Sequence, residues 1–410
     1  MGRSKGLPLT LISMVRRPSS AVYAAWMAAA SVLVWRAWDA AAAPAFDHFA
    51  DLHVYYGAVR ELVAGHGLYD FKAANGDPFT YPPAAGVLLA PLAFLDEWVV
   101  QVVWLVLEVV ALFFLVRCVT RLIPTPRLLP SRAVPPLVFL AFAISAPVGS
   151  NLRFGQLSLF ITVACAITFL NNRSGVWMGM AAGAKLIPLA FIPVLLVWRR
   201  KAGVVASLTF VTATTACWVL LPEESRRYWL HDLPMGTKYG DSALIGNQSL
   251  MGVLLRHPAW PGHALTILML LAGPILAAGT WRAVKMLRSG SRLGAFVVSS
   301  GVGILLSPVS WTHHQIPLVV ATFCISTGTK WLTWALRALV IVLMSVNVSV
   351  IATLSFPGSF LFGETRFLLC VYLVFLAIYR TDQDIENETS LHIGTHLPDR
   401  SVGVLRDVSA

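Results

Sequence analysis

Between Val102 and Val116 the chain reads VVWLVLEVVALFFLV, a run interrupted by one charge, Glu108, and long enough to carry a helix through much of a bilayer core. It lacks the period-two alternation of a membrane β-strand, whose segments of ~10 residues switch polarity at every step. Helices are therefore the expected spanning elements, since they alone satisfy their backbone internally without a closed barrel. The rest of the chain has the same character, with 57% hydrophobic and 12% charged residues, against about a quarter charged in soluble domains. The 31 Lys and Arg against 20 Asp and Glu do not mark a nucleic-acid surface, because the basic residues fall in short clusters between apolar runs. That placement encodes membrane topology.

Apolar segments lie near residues 21 to 38, 98 to 117, 133 to 148, 156 to 172, 204 to 221, 263 to 281, 294 to 308, 315 to 329, 331 to 352 and 366 to 380. Residues 174 to 198 contain Gly175, Gly179, Gly183, Lys185, Pro188 and Pro193, and are expected to form two short helices meeting near Lys185. The fold class is thus an all-α polytopic membrane protein of about 10–12 transmembrane helices. Ala84 to Leu95 is apolar but short and is read as interfacial, and the first run is read as an uncleaved span. With the N-terminus inside, 18 of the 31 basic residues share one side with no Asp or Glu in those loops, which assigns that side to the cytoplasm. The expected organisation is a cytoplasmic N-terminus (1–20), a membrane domain (21–380) and a disordered cytoplasmic tail (381–410). Two long outer loops span 39–83 and 222–262. The five cysteines lie in or beside apolar segments, so no disulfide framework or cysteine metal site is expected.

Ionisable groups placed at the membrane boundary often mark a site. Asp51, in FADLHVYYGAV, begins an amphipathic stretch one helical turn before Tyr55. By itself it reads first as a solvated acid near a helix start. Tyr81 precedes Pro82 and Pro83, which suit a first helical turn, and is either an interfacial anchor or a wall of a sugar site. Arg153 and Gln156, in SNLRFGQLSLF, sit at the outer mouth of two spans, where the arginine can snorkel or grip a phosphate. Lys185 stands alone in an apolar stretch beside glycines that permit a broken helix, and broken membrane helices line cavities. In GILLSPVSWTHHQIPL, Trp311, His313 and His314 lie at a junction of spans. Adjacent histidines on a helix point about 100° apart, which disfavours one shared metal ion and leaves phosphate contact or capping chemistry.

The order of DLHVYY, LYDF, FTYPP, RFGQLSL, a G-x-x-x-G-x-x-x-G-x-K-x-x-P stretch ending in WRRK, GNQSLMG and SPVSWTHH covers about residues 45 to 320. It resembles the polyprenyl-phosphate-mannose-dependent α-(1→2)-mannosyltransferases of actinobacteria, enzymes of the GT-C class. The resemblance implies a GT-C-like bundle with extracytoplasmic loops, in the plasma membrane, with its active site on the outer face. It implies inverting transfer of mannose from a polyprenyl-phosphate donor to a mannosylated lipid or lipoglycan acceptor such as a phosphatidylinositol mannoside or lipomannan. Asp51 would be the catalytic base. Inversion needs one carboxylate on the attacking face, and a phosphate leaving group needs positive charge or donors in place of an acid. Arg153, Lys185, His313 and His314 would bind the donor phosphate. Tyr55, Tyr81 and Trp311 would stack on sugar rings, and Gln156, Asn247 and Gln248 would bond sugar hydroxyls. Membrane lipids are the remaining expected partners; no cofactor, metal ligand set or nucleic acid is implied. Transfer of arabinofuranose from a polyprenyl phosphate demands nearly the same site, and a transporter of lipid-linked sugars using Lys185 and Glu108 is the rival from another class.

Overall fold

A computed structural model describes residues 20–44, 47–123, 131–233, 241–347 and 363–380. The N-terminal segment up to residue 19 and the tail from 381, for which cytoplasmic positions are expected, lie outside the described residues.

Among the described residues up to Leu220, ten α-helices follow in order: α1 (Ser20–Ala41), α2 (Ala50–Val63), α3 (Pro83–Leu89), α4 (Glu97–Thr120), α5 (Val134–Ile144), α6 (Ala146–Phe154), α7 (Ser158–Phe169), α8 (Val176–Ala184), α9 (Ile192–Trp198) and α10 (Arg200–Leu220). The main helices that follow are Leu250–Arg256, Ala264–Arg288, Arg292–Leu306, Lys330–Ser345 and Thr365–Phe375. The strand content of the described residues is an antiparallel pair, Ile325–Ser326 with Ile378–Tyr379, and one bridge, Lys72 to Pro78. Among the described residues, four helical stretches are long and apolar enough to cross a membrane alone: α1, α4, α10 and Pro261–Arg288. The remaining apolar helices are shorter or bent, and they interlock behind these long ones.

Several expected spans are reshaped. The segment 133 to 148 breaks at Ser145, where Ser131–Ile144 and Ala146–Phe154 diverge by 65°. Pro147 in the first turn of α6 removes a donor, and Ser145 Oγ accepts from the Val148 amide at 3.4 Å, so a new helix starts there. The expected break near Lys185 is present: α8 ends at Ala184, Lys185 is extended, and a 3₁₀ turn begins at Ile187. The span expected at 315 to 329 is corrected. Thr312–Val320 is a 3₁₀ helix containing Pro317, followed by only four α-helical residues and the first strand. Residues His313 to Val320 are all buried, so this apolar run packs inside the bundle instead of facing lipid. Of the expected span 331 to 352, residues up to Ser345 form a helix and those from 348 lie outside the described residues.

The centre of the bundle is Arg292–Leu306, whose residues Leu293 to Leu305 are all buried. Burial on every side, not apolar composition, shows that protein surrounds this helix. Its core is continuous with α5, α7 and α9, through contacts such as Phe169, Phe191 and Phe296 with ring centroids 5.3–6.2 Å apart. A second apolar cluster, holding Leu52, Tyr55, Phe79 and Tyr81, fixes α2 and the loop before α3 against α4 and α7. The glycines of α8 serve packing: a Cβ at Gly175 would meet the Ala202 carbonyl at 1.9 Å and one at Gly179 the Ala206 carbonyl at 2.5 Å. Such contact lets α8 and α10 approach backbone to backbone.

Candidate active site

A cavity of about 850 Å³ opens where the C-terminal end of α1, the start of α2, the α6–α7 turn, the α8 break and the SPVSWTHH segment converge. That volume lies in the upper part of the range for small-molecule sites. Asp51, Tyr55, Tyr81, Arg153, Gln156, Lys185, Trp311, His313 and His314 all border it. The structure thus brings together nine of the eleven residues singled out from the sequence.

Asp51 lies in the first turn of α2, where negative charge complements the exposed amides of a helix start. The start is pinned by Phe49, whose amide donates to the Arg153 carbonyl at 3.0 Å. Burial pushes the Asp51 carboxyl up to about 6; a hydrogen bond from Gln156 and the charge of Lys185 oppose this, and Asp77 adds to it. Its proton affinity is thereby set in the range useful for a base near neutral pH.

Gln156 is the hub beside it. The hydroxyls of Tyr55 and Tyr81 reach its Oε1 at 3.0 and 2.9 Å and lie 2.9 Å from each other. Lys185 Nζ donates to Ser158 Oγ at 3.0 Å and to the Tyr81 hydroxyl at 3.4 Å. The rings of Tyr55 and Tyr81 are 0% and 8% exposed and pack edge to face. They offer hydroxyls to the cavity and keep their faces in the core, unlike the stacking platforms expected. Trp311, half-buried beside Gly246, borders the cavity together with Phe154 and Tyr228.

His313 and His314 sit 4.5 Å apart with rings at 83°. The Trp311 amide donates to His314 Nδ1 at 3.2 Å, and the ring also bonds to the Val309 backbone. His313 Nδ1 lies 3.4 Å from Ser150 Oγ, and its Nε2 is buried without a hydrogen-bond partner among the described residues. Arg153 is held by Asp47 at 2.7 Å and Asp39 at 3.8 Å, so its charge is largely balanced, whereas the bonds of Lys185 run to hydroxyls. No group of three His, Cys, Asp or Glu suited to a metal ion occurs among the described residues.

Asn247 and Gln248 do not face the cavity. Asn247, 0% exposed, donates to the Ser242 and Pro308 carbonyls and accepts from the Ser249 and Ser310 amides. Gln248, 1% exposed, donates to the Ile245 and Gly363 carbonyls and accepts from the Phe367 amide. These amides clamp loops behind the site. The sequence reading missed Arg36 on the cavity wall, which donates to the Ala143 and Ile144 carbonyls at 3.2 and 2.9 Å and so caps the broken end of α5. Its signal was a basic residue near the outer end of the first span, against the charge bias of the other loops.

The model of Glycosyltransferase family 87 matches residues 79–308. The chain belongs to this family. It is 33% identical, over 66% of its length and 68% of the relative's, to the polyprenol-phosphate-mannose-dependent α-(1-2)-phosphatidylinositol pentamannoside mannosyltransferase of Mycolicibacterium smegmatis. It is 29% identical, over 78% and 79% of the two lengths, to the corresponding phosphatidylinositol mannoside mannosyltransferase of Mycobacterium tuberculosis. An α-(1->3)-arabinofuranosyltransferase of Mycobacterium tuberculosis is similar at 26% identity over 63% of this chain and 60% of its own length. One cavity of this glycosyltransferase of family 87 carries an acid together with cationic and N–H donor groups. Asp51, Trp311, His313 and His314 lie outside the matched residues, yet they border the same cavity as Tyr81, Gln156 and Lys185.

Proposed function

We propose that the protein transfers mannose from a polyprenyl-phosphate donor to a hydroxyl of a mannosylated glycolipid, with inversion to an α-1,2 linkage, on the outer face of the plasma membrane. The observation that carries this reading is the pairing of Asp51 with Lys185 across one cavity, bridged by Gln156 and Tyr81. The names of the most similar relatives supply the sugar and carrier.

The acceptor hydroxyl loses its proton to Asp51 as its oxygen bonds to the anomeric carbon. The bond from that carbon to the phosphate oxygen breaks, and its electron pair leaves with the polyprenyl phosphate. Lys185, with the imidazoles of His313 and His314 beside it, stabilises the charge that accumulates there, an electrostatic contribution that a dry site magnifies. Trp311 packs against a sugar face, while Tyr55, Tyr81 and Gln156 orient the base. The outer-face assignment rests on the helices themselves: basic Arg117 and Arg121 close α4 and Arg199 to Lys201 open α10, at ends remote from the Asp51 end of α2, which pairs through His53 with Glu97 at the start of α4.

Arabinofuranose transfer is the second reading, favoured by the similarity to the arabinofuranosyltransferase. The purified chain in lipid nanodiscs, offered labelled polyprenyl-phosphate mannose and polyprenyl-phosphate arabinose separately, decides. Incorporation of mannose into a mannosylated glycolipid is expected; incorporation from the arabinose donor alone overturns the mannose reading.

A further inference from the structure

Glu108 lies mid-way along α4, is 0% exposed, and does not border the cavity. A carboxyl in a bilayer-spanning helix is costly and persists where it does a task. Its Oε1 accepts from Asn151 Nδ2 at 2.6 Å, a short bond between buried groups. Asn151 is itself 0% exposed and is used from every side: its Oδ1 accepts from the Leu159 amide at 3.1 Å and its carbonyl accepts from the Gln156 amide at 3.0 Å. The residue therefore spans the turn between α6 and α7, joining the last turn of one helix to the unsatisfied amides of the next. That turn delivers Gln156 to Asp51, and α7 begins with Ser158, the partner of Lys185.

We propose that Glu108 is a positioning residue for the transfer site, acting through Asn151 to hold Gln156 against Asp51 and Ser158 against Lys185. The inference rests on the catalytic reading above for its effect on turnover, but its geometric content stands apart from it. α4 supplies a rigid wall, and the Glu108–Asn151 bond is its polar link to the turn. Without that link the Asn151 amide faces an apolar wall unpaired, and the turn it bridges is free to shift. Displacements of about 1 Å at reacting groups cost on the order of 100-fold in rate. The transporter reading of Glu108 as an intramembrane charge on a transport path finds no support in its position, since it is enclosed and bonded to an amide.

The test compares Glu108→Leu, Glu108→Gln and Asn151→Ala in the full chain in nanodiscs, with two readouts. The first is the protonation midpoint of Asp51, followed by infrared titration of its carboxyl band, with Asp51→Asn identifying the band. Asp51 faces Lys185, Asp77, Gln156, Tyr55 and Tyr81; of these Gln156 is the one that the turn carries. Glu108→Leu and Asn151→Ala are expected to move the midpoint upward, because a hydrogen bond to the ionised form is weakened. Glu108→Gln, whose carbonyl still accepts from Asn151, is expected to leave it in place. The second is mannosyl transfer, in which the first two variants should lower kcat by about 100-fold with donor KM changing far less, and Glu108→Gln should retain it. An unchanged midpoint in Glu108→Leu, or a Glu108→Gln variant as impaired as Glu108→Leu, overturns the inference. A wild-type chain without mannosyl transfer would strike the catalytic reading alone, because the infrared titration still decides where Gln156 sits.

Discussion

Asp51 must be charged to take a proton, yet its surroundings favour the neutral acid. Burial raises its affinity to about 6, and only the Gln156 hydrogen bond and Lys185 restrain the rise. For a base the sign is simple: the active form exists above the midpoint. Transfer measured as kcat/KM should fall tenfold per unit as pH drops below about 6, whereas a solvated aspartate would hold activity to about pH 4. A profile flat down to pH 4.5 would contradict the site's electrostatics. In the proposed transfer, Lys185 presents the opposite polarity toward the leaving group. Lys185→Ala and His314→Ala are expected to lower kcat/KM for the donor by about 10- to 100-fold, as losing a hydrogen bond to a charged group does. Steady-state kinetics with donor and acceptor varied in turn checks this; a dominant rise in acceptor KM would assign these groups to the other substrate.

The α6–α7 turn is the element on which the site depends. Gly155 adopts φ +65°, and a Cβ there would lie 2.7 Å from Leu52 Cβ, one residue from Asp51. Gly155→Ala therefore combines backbone strain with a clash against α2, costing about 1–3 kcal/mol. A lower thermal midpoint together with slower transfer is expected from melting curves and initial rates, and wild-type behaviour in both would show that the turn tolerates displacement. Part of the site was legible: SNLRFGQLSLF as a mouth between two spans, the glycines and prolines around Lys185, and SPVSWTHH at a junction are local breaks, written in residues with special backbone demands. The 3₁₀ segment after Thr312 was not legible as such, because an apolar run buried in protein and one facing lipid have the same composition. Asn247 and Gln248 were misassigned for a related reason. An amide side chain that binds sugar hydroxyls and one that ties down carbonyls carry the same donors and acceptors, and only the fold decides which partners are near.

At the scale of the molecule, helices that are long and apolar stand with shorter, bent ones around a fully buried centre, and the breaks in the short helices gather at one end. That end holds the acid, the lysine and the histidine pair, while the basic clusters that close α4 and open α10 lie at the other. The loop charges supply the expected topology through a simple electrostatic bias, whereas Arg36 escaped notice because it caps α5 across the bundle, a contact between residues more than a hundred positions apart. The central requirement of the proposed transfer is that one carboxylate drives inversion with a lipid phosphate as leaving group. Purified wild-type protein and Asp51→Asn in nanodiscs, supplied with β-linked polyprenyl-phosphate mannose and a mannosylated glycolipid, give the most direct reading. An α-linked product from the wild type, with the variant slower by about 100- to 10,000-fold yet still folded, is the expected result. An Asp51→Asn protein that transfers mannose at the wild-type rate would contradict it.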